Sequence, residues 1–209
     1  MELRALAYLL PFRVELPVII NLEKGVVIRE ITPDEKQGKI SNGILSMRRF
    51  DFDQLKYCIE IKKDKKVSMS WPTSNDEISF DKVEKKFDKI ILALRLFNTG
   101  CIGYNEFDIF LDYKWTGAIS RITYFYGNSY KLNKSQIEDF VSFYNQIKDL
   151  ESIDFSSIAM ERFRMINERD NPEDRLIDLF VALESLFGIE QELTYRLALS
   201  LSSYLYDIG

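Results

Sequence analysis

The 209-residue chain contains no histidine, and that absence removes most of the familiar routes to chemistry at neutral pH. Without an imidazole there is no serine–histidine or cysteine–histidine nucleophile pair, and no mixed histidine–carboxylate metal site. Proton transfer would fall to Asp, Glu, Lys or Tyr. The two cysteines, Cys58 and Cys101, are far apart and lack the spacing of metal ligands, so they read as two buried reduced thiols. Gly100 and Gly103 are not followed by the Lys or Gly pattern of a phosphate loop. The carboxylates show no spacing for a metal. The sequence therefore calls for no metal, no cofactor and no catalytic residue.

What remains is a set of charged side chains near the end of the chain. On a helix expected from Pro172 to Phe187, Asp178 lies on a narrow polar strip with Asp174 and Ser185, while Glu184 projects close to Ile177 and Val181. A carboxylate on an apolar face needs a cationic partner. Arg162, expected on the inner face of the preceding helix, fits that need, and Arg169 lies two turns further on. Arg196 pairs locally with Glu192 at i, i+4. Arg162, Asp178, Glu184 and Arg196 thus form either a polar network that positions a site or binds a phosphate, or an ion-pair network that fixes helix register. A second charged feature is the stripe Lys82, Lys85, Lys86 and Lys89, which can meet phosphates or be a solvated helix face. Tyr124-Phe125-Tyr126 can stack on bases or pack in a strand core.

The elements that must carry these groups fall into two kinds. Strands are expected at 13–21, 25–32, 44–47, 57–62, 67–71, 106–112 and 119–126, with a hairpin turn at Glu23-Lys24-Gly25. Among them one long helix runs from Phe80 to Phe97, with Val83, Phe87, Ile90, Ile91 and Leu94 on one face and Gly100 just past its end. After Asn133 only helices follow: 134–150, 155–169, 172–187 and 191–206. Asn171, Pro172 and Glu173-Asp174 give the third of these a consistent start. The third helix is apolar almost all round and should be central in its bundle. The expected fold class is α+β: a β-rich N-terminal recognition domain over residues 1–130, then a helical domain over 131–209.

Arg162-Phe163, Glu173-Asp174-Arg175-Leu176-Ile177-Asp178-Leu179 and Ala182-Leu183-Glu184-Ser185-Leu186-Phe187 resemble the signature of the Apea-like HEPN family, and Glu192 to Leu199 continues the pattern. Ala93 to Phe97, with Gly103-Tyr104, is similar to what precedes such domains. The main match covers about Ile158 to Leu205. The resemblance implies a HEPN-like helical bundle that dimerises through its C-terminal helices, and a role in metal-independent RNA cleavage or RNA binding in defence or toxin systems. The family's activity is attributed to an Arg-x-x-x-x-His motif on a later helix, which maps to no position here. The chain is thus expected to be inactive as given, with the gene continuing past Gly209. The alternative is a non-catalytic ligand- or protein-binding module whose helices mediate dimerisation.

The formal net charge of -5 argues against coating nucleic acid through a general basic surplus, so an RNA contact must be local. The N-terminal apolar run is interrupted by Pro11 and Arg13, too soon to span a membrane, and no small-residue cleavage site follows. The expected compartment is the cytoplasm.

Overall fold

Strand β1 (Glu2–Leu10) is hydrogen-bonded along both of its edges, to β5 (Tyr57–Asp64) on one side and to β6 (Gly103–Leu111) on the other. Its sequence is built from Leu and Ala, residues with no strand preference of their own, so the pairing on both sides overrides propensity. The structure is a computed structural model; it describes residues 2–10, 12–14, 19–41, 55–64, 80–120, 130–148, 154–166 and 168–187. These divide into two compact units, one running up to residue 147 and one from residue 148 onward.

The first unit is a six-stranded antiparallel sheet with the order β3-β4-β5-β1-β6-β7. Its outer strands are the hairpins β3 (Ile20–Glu23) with β4 (Val26–Glu30), and β6 with β7 (Lys114–Ser120). Helix α1 (Pro33–Ser41) joins β4 to the β5 side, and α2 (Phe80–Phe97) connects β5 to β6. Since β5 and β6 both run antiparallel to β1, they are parallel to each other and α2 is a crossover. A short parallel pair joins β2 (Phe12–Val14) to β8 (Tyr130–Leu132), and a 3₁₀ turn leads into α3 (Ile137–Ile147).

The alternation of β1 separates two faces. Leu3, Ala5, Ala7 and Leu9 share one core with Val83, Phe87, Ile90, Ile91 and Leu94 of α2, the face expected from the helical period. Small side chains at Ala5 and Ala7 leave space over mid-sheet for rings: Phe87 lies 5.6 Å from Tyr104 and 5.2 Å from Phe107. Phe140 and Tyr144 of α3 belong to the same core. Helix α3 therefore packs with the sheet, and the two compact units divide after it.

The architecture is α+β, as the patterning implies, and α2 and the Glu23-Lys24-Gly25 turn stand where expected. Differences lie elsewhere. β1 and α1 are not foreshadowed, and β7 begins at Lys114 rather than residue 119. The strands expected at 44–47 and 67–71, Tyr124-Phe125-Tyr126 and the helix at 191–206 lie outside the described residues.

Two turns show what the backbone demands. Asp112 and Tyr113, with φ of 46° and 66°, close the β6–β7 hairpin in the left-handed region that such two-residue turns require. Gly25 has φ of 77°, its carbonyl accepts from the Lys62 amide at 2.6 Å, and a Cβ there would strike the Lys62 carbonyl. Gly25→Ala should therefore destabilise the chain by about 2–3 kcal/mol, read as a lowered midpoint in urea denaturation.

Candidate functional site

The second unit holds α4 (Asp154–Ile166) and α5 (Pro172–Phe187), packed along one seam. Asn171 caps α5 by accepting from the Glu173 amide at 3.0 Å. The seam is made of small and polar residues: Ala159, Ala182 and Asp178 are all buried. Asp178, 3% exposed, accepts from Arg162 Nη1 at 3.1 Å and from Arg169 Nε at 3.0 Å. One carboxylate thus joins α4, the connecting turn and α5. Arg175 Nε donates to the Arg169 carbonyl at 2.8 Å and holds that turn.

This geometry corrects two expectations. Arg162 engages Asp178 rather than Glu184, which is exposed. Helix α5 is not enclosed among the described residues either: Leu176, Ile177, Phe180 and Leu186 are about half exposed. The reason is that an ionised Asp178 must face its arginines, so the polar strip turns inward and carries the bulky apolar arc outward. Arg196 lies outside the described residues.

The lysine stripe is only partly available. Lys82 and Lys85 are exposed, whereas Lys86 forms an ion pair with Glu23, which also accepts from the Tyr144 hydroxyl at 3.4 Å. Lys86 ties α2 to β3. Lys89 is half-buried. The stripe and the Asp178 clasp belong to different units.

The densest polar cluster among the described residues was not anticipated, and it lies on the sheet face opposite α2. Arg4 of β1 bonds to both Glu60 of β5 and Glu35 of α1. Arg29 of β4 meets the same two carboxylates, Glu60 at 2.8 Å and Glu35 at 2.7 and 3.0 Å. Glu35 also accepts the Thr32 amide at 2.9 Å, while its own amide donates to Thr32 Oγ1 at 3.3 Å, a reciprocal cap on α1. Burial would raise the Glu35 carboxyl, but bonds from Arg29, the Thr32 amide and Arg4 outweigh it and hold the pKa at about 2. Glu60 is lowered by the same contest between burial and the two arginines.

Beside this cluster, Asp108 of β6 accepts from the Tyr8 hydroxyl at 2.6 Å and from Trp115 Nε1 at 3.3 Å. Burial first, then the Asp108 charge, push the Tyr8 phenol far above its ordinary value. Burial pushes the Cys58 thiol up to about 12. Glu35 and Glu60 are held ionised and Tyr8 and Cys58 are held uncharged at pH 7, so none of these four is poised as a proton shuttle there. They are suited to holding geometry. The sequence signal was the alternation itself: Arg4 and Tyr8, Glu60 and Lys62, Glu106 and Asp108 recur at even spacing on strands whose other face is apolar.

Among the described residues no group of three or more Cys, Asp or Glu side chains could hold a metal, and no helix is long and apolar enough to cross a membrane. Comparison with protein-family models, curated proteins and solved structures finds no match to this chain.

Two outcomes follow. Glu35 has a folded pKa below its unfolded value of 4.5, so its contribution is complete above that value and vanishes as pH falls through about 2. The stability gap between wild type and Glu35→Gln should be widest near pH 7 and should close across this acid range in denaturant titrations. At the clasp, Arg162→Ala and Arg169→Ala should each lower stability only slightly, because the other arginine still pairs with Asp178. The double variant leaves Asp178 buried without a cation and should cost roughly 3 kcal/mol or more, a non-additivity visible in a double-mutant cycle.

Proposed function

We propose that this chain is an RNA-directed, cytoplasmic protein of HEPN type, part of a metal-independent ribonuclease of a defence or toxin system, although it lacks the family's Arg-x-x-x-x-His motif. The observation that carries the reading is the clasp of Asp178 by Arg162 and Arg169. Arg162 and Asp178 are two of the residues on which the family resemblance rests, and a shared ion pair gives their joint presence a physical reason: it fixes the register of α4 against α5. The acidic chain as a whole and the paired Lys86 favour a local RNA contact over general coating.

A second reading is supported by a separate observation. The outward arc of α5, with Leu176, Ile177, Phe180 and Leu186 about half exposed, is apolar surface of the kind that marks association. On that reading the protein is a non-catalytic binding module whose helices dimerise.

A fluorescein-labelled single-stranded RNA titration followed by anisotropy tests the first reading, with light scattering on the same samples for the second. The first predicts saturable binding that weakens as salt is raised, and no cleavage by this chain with or without chelator. Absence of binding, or cleavage that a chelator abolishes, counts against it. A dimer that leaves RNA untouched favours the binding module.

A further inference from the structure

On the sheet face opposite α2, the register sets four residues side by side across four strands. Lys62 of β5 is opposite Arg4 of β1, Arg4 is opposite Phe110 of β6, and Phe110 is opposite Trp115 of β7. With neighbouring strands about 4.8 Å apart, the row spans roughly 14 Å, the reach of two or three nucleotides. Lys62 is 51% exposed, its ammonium 3.5 Å from Glu60 at the edge of the arginine cluster, and Trp115 is 42% exposed.

The flat groups of this row are held in place by neighbouring carboxylates. The Arg4 guanidinium is fixed by Glu60 and Glu35 and lies over the Phe110 ring, 5.4 Å from its centroid. The Trp115 indole is anchored by Asp108, whose other oxygen takes the buried Tyr8 hydroxyl. The bond from Nε1 fixes the plane of the Trp115 ring while leaving much of it open. Here a guanidinium, a phenyl ring and an indole are oriented in advance next to an exposed ammonium. Pre-set planes beside a cation suit a ligand with alternating flat and anionic parts.

We infer that this row is a stacking platform for single-stranded RNA. Bases stack on Trp115 and Phe110, and the backbone phosphate meets Lys62. The inference rests on the RNA-directed reading above and gives it a contact surface in the sheet unit, apart from the helices that carry the family resemblance.

The test is anisotropy with a 3′-fluorescein oligouridine 12-mer, alongside intrinsic fluorescence of the same samples. Trp115→Ala should weaken binding roughly tenfold or more, while Trp115→Phe, which keeps a ring, should stay within about threefold of wild type. Wild-type tryptophan emission should be quenched on titration, and Trp115→Phe should remove that quenching. Lys62→Ala should lower the slope of log affinity against log salt by about one. Lys134→Ala, at an exposed lysine outside both this row and the α2 stripe, serves as the control and should bind as wild type. If the wild type binds the 12-mer but Trp115→Phe leaves the quenching intact, or a blunt RNA duplex competes equally well, the platform is refuted while the RNA reading stands. If the wild type does not bind at all, both fall. Should Trp115→Ala fail to fold, the Trp115→Phe quenching and the Lys62→Ala salt slope decide the question alone.

Discussion

The pairing of β1 on both edges is the constraint from which the rest of the sheet unit follows. A central strand must satisfy two ladders of backbone groups and clothe two faces. In β1 the odd positions do this with Leu3, Ala5, Ala7 and Leu9 against α2, and the even positions bring Arg4 and Tyr8 to the opposite side. A charged residue half-buried in mid-sheet must have anions close by. Glu60 on one neighbouring strand and Glu35 on α1 supply them, and α1, a markedly polar helix, is docked largely through that demand. Asp108 answers Tyr8 in the same way on the other neighbour. The polar face is a set of local solutions to one placement.

The helical unit solves a related problem with different materials. Asp178 sits between two short-side-chain positions, Ala159 and Ala182, and receives two arginines. Small residues are buried on both α4 and α5, and the ion pairs fix which turn of one helix meets which turn of the other. Apolar bulk is then free to face away. That is the reverse of an ordinary amphipathic helix, in which the large apolar side chains make the first contact.

How much of this could be read from the sequence depended on whether local pattern and final environment agreed. The period of Val83, Phe87, Ile90, Ile91 and Leu94 marked the core face of α2, and the Asn171-Pro172 start marked α5, because caps and helical faces are local chemistry. The Gly25 turn was legible for the same reason. β1 was not, since Leu and Ala carry no strand signal and the pairing comes from residues far along the chain. Arg162 and Asp178 were legible as members of one network, yet the partner assigned to Arg162 was Glu184. Helical angle alone could not show that the polar strip, not the apolar arc, faces α4. The Arg4–Arg29–Glu35–Glu60 cluster draws on four separate elements, and only the sheet order brings them together.

The position of β1 also sets the order in which the chain can become complete. Its two ladders close only with β5 and β6, and the Glu2 amide reaches its Asp112 partner across a separation of 110 residues. Contacts of that span close slowly, and an unpaired strand edge is sticky in the meantime. The arginine at position 4 therefore has a second use before the sheet exists: a charge among the apolar residues of β1 discourages the unpaired strand from pairing with a neighbouring chain.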